Sequence, residues 1–159
     1  MNLPIILHPN KILRTKTKKL KFPLSPADRK LIRDMLDTVK HEDGIGLAAP
    51  QVNQSVAMVV INLESMGLKP FVLLNPEVLK ASKKKNIMEE GCLSIPGVFG
   101  MVSRPEEIEF EAQDIDGNKF GAKVDGMLSK VIQHEIDHIN GILIIDKIKK
   151  YTQGKELLK

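Results

Sequence analysis

The fold is decided by the stretch Gly126-Met127-Leu128-Ser129-Lys130-Val131-Ile132-Gln133-His134-Glu135-Ile136-Asp137-His138-Ile139-Asn140-Gly141. Leu128, Val131 and Ile132 recur at helical spacing, Asp125 stands where an N-cap belongs, and Asn140-Gly141 is a stop signal. A helix starting at Gly126 is therefore predicted. On it His134 and His138 lie four residues apart on one face, so both imidazoles can reach one metal ion. Glu135 is held beside the ion's open position as a proton acceptor. The chain has only four histidines, and this motif holds two of them.

Two histidines do not complete a metal site. The elongated protease frame HExxHxxGxxH finds Gly141 in place but Ile144, which has no donor atom, at its last position. A downstream glutamate ligand would have to be Glu156, in a Lys-rich tail. Cys92 is the remaining candidate, within Glu90-Gly91-Cys92-Leu93-Ser94-Ile95-Pro96. Gly91 allows close backbone approach, and a metal would take the sulfur as thiolate. Cys92, His134 and His138 leave a fourth position for water, as a catalytic site needs. A third segment, Gly44-Ile45-Gly46-Leu47-Ala48-Ala49-Pro50-Gln51, is tight and sterically open. It suits either a helix-to-strand turn or a loop that pairs with a substrate backbone in strand fashion. Gln51 adds a neutral amide able to donate to a developing oxyanion.

The surrounding composition fits a single domain over residues 1–159, with 42% hydrophobic and 28% charged residues. One cysteine excludes an internal disulfide framework and points to a reducing compartment. Residues 1–10 lack the pattern of a signal peptide, and no apolar run approaches the roughly 20 residues that span a bilayer, so the expected location is the cytoplasm with no membrane partner. Lys plus Arg number 24 against 20 Asp plus Glu, a mild net charge of +4. The only arginines are Arg14, Arg29, Arg33 and Arg104, Trp is absent and aromatics are 4%, which argues against sequence-specific nucleic-acid readout.

Residues 1–25, with Pro4, Pro9 and Pro23, read as an extended arm docked on the core through Ile5, Ile6, Ile12 and Leu13. Ser25-Pro26 and Asp28 start a helix running to about His41 and stopping near Gly44. Val56–Leu63 and Pro70–Leu79 read as strands. Glu107–Asp114 and Lys119–Val124 flank the turn signal Asp116-Gly117-Asn118 and predict a hairpin. Asp146–Lys159 is expected to be a short surface helix. The layout is α+β, mostly antiparallel strands packed around a central HExxH-bearing helix.

Taken together, GIGLAAPQ at 44–51, EGCLSIP at 90–96 and QHEIDH at 133–138 resemble the signature of peptide deformylases, and the arm around Ile6, Pro9 and Leu13-Arg14 is similar to that family's N-terminus. The ending after the HExxH helix is similar to the bacterial type with a C-terminal helix. The resemblance implies a hydrolase that removes the formyl group from the N-terminal formyl-methionine of new polypeptides. It implies Cys92, His134 and His138 as ligands of one divalent metal, usually Fe2+, with Zn2+, Ni2+ or Co2+ able to take its place. It further implies Glu135 as general acid/base, Gln51 with the Leu93 backbone N–H at the oxyanion, and Ile45 and Gly46 aligning the substrate backbone. Met88, Met127 and Val131 are candidates for an apolar pocket for the methionine side chain, and Glu90 for orienting a ligand. Two positions depart from the family: Ile139 replaces a usual leucine, and Phe99 stands where arginine or tyrosine is common. The runner-up is a small zinc endopeptidase, for which Cys92 would be dispensable. Expected partners are N-formylmethionyl nascent chains and, weakly, the ribosome, through Lys147, Lys149 and Lys150 of the basic C-terminal segment.

Overall fold

The computed structural model describes residues 1–158. Among them are two α-helices, α1 (Pro26–His41) and α2 (Gly126–Ile139), and eight strands: β1 (Gly46–Ala48), β2 (Met58–Ile61), β3 (Phe71–Ala81), β4 (Lys85–Cys92), β5 (Ile95–Pro105), β6 (Glu107–Gln113), β7 (Lys119–Asp125) and β8 (Ile148–Gln153). All strand pairs are antiparallel and form two sheets, ordered β1-β2-β3-β6-β7 and β4-β5-β8.

The sequence of β2 shows why the larger sheet is central. Met-Val-Val-Ile is apolar at every position because both faces are covered. Met58 and Val60 join the cluster of Met35 and Val39 from α1, whereas Val59 and Ile61 join Val131, Ile132 and Ile136 from α2. All four β2 residues are fully buried, each contributing about 1.5–3 kcal/mol of apolar burial. The helices thus lie on opposite faces of one sheet. The start of α1 is fixed as expected: Ser25 Oγ accepts from the Asp28 amide at 3.0 Å, and Asp28 Oδ2 accepts from the Ser25 amide at 3.2 Å. Asp125 precedes α2 in extended conformation, but its side chain makes no capping bond.

The expected strands around residues 56–63 and 70–79 and the expected hairpin are present as β2, β3 and β6–β7. In the hairpin turn, Asp114 Oδ1 accepts from the amides of Asp116 and Asn118. The tail departs from expectation. Instead of a surface helix, Ile148–Gln153 pairs with β5, and only the single 3-10 turn Lys155–Leu158 follows. Ile148 and Tyr151 pack against Leu13, Val98 and Ile144, an apolar anchor that a solvated helix would lack.

The docked arm is also present. Its Ile6 and His8 amides donate to the carbonyls of Gln51 at 2.7 Å and Ser94 at 2.8 Å. The arm thereby straps together the two segments that carry Gln51 and Cys92. Further along, Thr17 N–H donates to Ile139 O, and Arg14 pairs with Asp146 at 2.5 and 3.0 Å. Gly141, just past α2, has φ +75°, and a Cβ there would lie 2.5 Å from Arg14 O. Gly141→Ala should therefore cost about 1–3 kcal/mol in urea unfolding through backbone strain and loss of that close packing.

Candidate metal centre and cleft

Cys92 ends β4, just before the turn into β5, and α2 brings its histidines to it. The Cys92 Sγ and one ring nitrogen each of His134 and His138 all lie within 4.8 Å of one another. Cys92 Sγ is 3.4 Å from His138 Nε2. His134 Nδ1 is taken by Glu90 Oε1 at 2.9 Å, which turns its Nε2 toward the cluster. A sulfur and two imidazole nitrogens converging at these separations fit a divalent ion. The alternative third ligands do not join them: Ile144 is buried in the core and Glu156 is exposed in the terminal turn.

Glu135 is almost fully buried and its Oε1 has no hydrogen-bond partner among the described residues. Its other oxygen rests on β1, where a Cβ at Gly46 would come within 2.5 Å of Oε2. That contact is a physical requirement for glycine at position 46. Gln51 is fixed from both ends. Its Oε1 accepts from the Ala48 amide at 3.0 Å, which points its Nε2 at Ser94 Oγ (3.1 Å) and Cys92 Sγ (3.6 Å). The Leu93 amide, in the turn beyond Cys92, donates to no described acceptor.

Charge around the site is set by a buried network. Arg104 forks onto both oxygens of Glu90 at 2.6 and 2.9 Å and reaches Asp137 at 2.9 Å, where Lys147 also binds. Burial works against ionised Glu90, but the bonds from His134 and Arg104 outweigh it and bring its pKa down to about 2. Burial likewise opposes charge on His134, yet Glu135, Cys92 and Glu90 raise it to about 10. Burial pushes Glu135 up to about 7, against the pull of His134 and Arg104. His138 is held well below its ordinary value by burial and by the neighbouring His134 charge. Glu90 is legible from the motif around Cys92, whereas the parts played by Arg104, Asp137 and Ser94 emerge only in the fold. A rare arginine was the only available signal, and burial is invisible in composition.

The centre opens into a cleft of about 700 Å³ lined by Ile45, Gly46, Gln51, Gly91, Val131 and Glu135, with Leu7 and Phe99 at its exposed rim. Its flanks are two strands at sheet edges, β1 and β4. The Asn62 amide donates to Ile45 O, so by antiparallel alternation the Gly46 N–H and C=O face away from β2 toward the open edge. Met88 and Met127, expected in an apolar pocket with Val131, are not among the residues lining this cleft. Met88 borders a small pocket beside Arg104, and Met127 packs against the α2 face of the core.

Two imidazoles one turn apart, a sulfur facing them and a buried carboxylate beside them define a metal-dependent hydrolase. The family profile described as Polypeptide deformylase matches residues 2–154, and the chain belongs to that family. It is 43% identical to the peptide deformylase of Dictyoglomus thermophilum over 145 residues, 91% of this chain and 92% of that protein. It is 41% identical to that of Rhodopseudomonas palustris over 159 residues, 98% of this chain and 90% of the relative. The crystal structure of a peptide deformylase from Synechococcus elongatus in complex with actinonin superposes with a TM-score of 0.87 at 40% identity, covering 93% of this chain and 79% of that one. The activity is removal of the formyl group from polypeptide N-termini, and the endopeptidase alternative is not favoured.

Metal binding needs a neutral imidazole, whereas Glu135, Cys92 and Glu90 raise the His134 pKa to about 10 in the metal-free protein and so favour its protonated form. An ion taken up through His134 near neutral pH would therefore expel that proton. Apparent affinity for Zn2+, read by chelator competition, should rise about tenfold per pH unit between about pH 6.5 and about pH 8.5 from this group alone.

Proposed function

We propose that Cys92, His134 and His138 hold one divalent ion, most naturally Fe2+, and that Glu135, Gln51 and Leu93 perform the deformylation around it. The observation that carries this reading is the convergence of the three donor atoms beside an unpartnered buried carboxylate. One thiolate and two imidazoles accept Fe2+, Zn2+, Ni2+ or Co2+, and the choice of iron rests on the family resemblance. When bound, the ion polarises the formyl oxygen and lowers the pKa of water.

The chain supplies the remainder. Glu135, with a pKa near 7 set by burial, takes the proton from water as it adds to the formyl carbon and passes it to the departing amine. The C–N bond breaks, leaving formate and a free N-terminus. Gln51 Nε2 and the Leu93 amide donate to the oxygen on which charge develops. The N-formylmethionyl chain lies along β1, pairing with the open N–H and C=O of Gly46 beside Ile45, with Val131 against its first side chain. Glu90 orients His134.

The substrate is made in the cytoplasm, where a free cysteine also persists, and we assign the protein there. Weak ribosome affinity is expected through Lys149 and Lys150, exposed on β8; Lys147 is engaged by Asp137. Replacing both by Glu should weaken salt-sensitive co-sedimentation with ribosomes, and unchanged binding would count against the idea.

The direct test is formate release from a formyl-methionyl peptide by anaerobically purified protein, alongside its metal content. Glu135→Gln should keep the metal and lose about 100-fold or more in kcat. Cys92→Ala should lose both metal and activity; full retention of both would overturn the ligand assignment.

A further inference from the structure

Lys130 precedes His134 by four residues on α2, so both leave the same helix face about 6 Å apart along the axis. Like Val131 and Glu135, it lines the cleft. Its Nζ donates to the Glu89 main-chain oxygen, on the outer edge of β4, at 3.1 Å. Among the described residues Lys130 forms no ion pair within 4 Å, and the nearby carboxylates have other partners. Glu90 serves Arg104 and His134, and Glu89 Oε2 accepts from Thr152 Oγ1 at 2.6 Å. An ammonium carries three donors, so two remain beyond the Glu89 bond, on a side chain that borders both the cleft and the small pocket beside Arg104. Burial pulls its pKa below the usual lysine value, and Glu90 pulls it back. A wall made only for an apolar side chain has no use for a half-buried cation with spare donors.

We propose that Lys130 is a specificity-determining residue whose ammonium hydrogen-bonds an acceptor oxygen at the tip of the substrate's first side chain, so that the enzyme deformylates N-formylmethionine sulfoxide chains as well as the thioether form. Oxidation of methionine adds one strongly polar oxygen to a side chain of nearly unchanged length. The thioether sulfur is only a weak acceptor. With a thioether bound, the lysine stem packs beside Val131 while the ammonium keeps its bond to Glu89. The inference rests on the cleft being the formyl-peptide site.

The test compares kcat/KM for formate release from three peptides identical except for the first residue: formyl-methionine, formyl-norleucine and formyl-methionine sulfoxide. In the unmodified enzyme the sulfoxide peptide should stay within about tenfold of the thioether. In Lys130→Met the sulfoxide-to-thioether ratio should fall about tenfold or more, and in Lys130→Arg it should stay near its original value. Taking the ratio within each variant cancels any general loss of active protein. An unchanged ratio in Lys130→Met, an equal fall in Lys130→Arg, or a discrimination of about 100-fold in the unmodified enzyme would each overturn the proposal. Release from none of the three peptides by metal-loaded enzyme would instead overturn the reading of the cleft itself, and the proposal with it.

Discussion

Everything around the metal centre hangs on one carboxylate. Glu90 is buried in β4, takes the Arg104 fork from β5 and holds His134 from α2, so it ties the smaller sheet to the helix that the larger sheet carries. An ion pair taken out of water is tolerated when its hydrogen-bonding capacity is filled, and here both Glu90 oxygens are engaged. Arg104 spends its remaining reach on Asp137, one residue before His138. The polar positions of the HExxH helix are therefore internal struts as much as chemistry. The ring of His134 is aimed by its partner before any ion arrives.

A second set of ties places the other half of the site. The arm donates to Gln51 and Ser94 from alternate residues, so the loop after β1 and the turn after β4 are fastened to one strap. Ala48 then orients the Gln51 amide, and Gly46 leaves room for Glu135. Backbone hydrogen bonds, together with the Gln51 Nε2–Ser94 Oγ bond, thus hold the carboxamide beside the sulfur. Such donors cost no reorganisation when charge develops on a substrate.

Much of this was legible in the sequence because it is periodic or scarce. Helix α1 announces itself by its capping box, both helices by apolar spacing, β2 by its unbroken apolar run, and the hairpin by its turn. The candidate ligand set is visible because Cys and His are few. Strands β4, β5 and β8 were hidden: Lys85, Glu89, Pro96, Gly97 and Lys149 dilute the alternation, and pairing that closes over long sequence separations leaves no local trace. The same concealment applies to Arg104, which reads as one more surface charge until the fold buries it. Met88 and Met127 are less easily placed from sequence, because an apolar residue near a motif can face a cleft, as at Val131, or pack on the core, as Met127 does.

The open edge of β1 has a consequence for what the protein can distinguish. Three residues of strand span only about 10 Å, so a chain laid along Gly46–Ala48 is gripped for its first few residues and then leaves the surface. Under the proposed docking, so short an edge would offer backbone hydrogen bonds to the first few residues of a chain alone. Brevity of the strand, which looks like a minor detail of sheet topology, would then confine the enzyme's grip to the start of a polypeptide, whatever sequence follows.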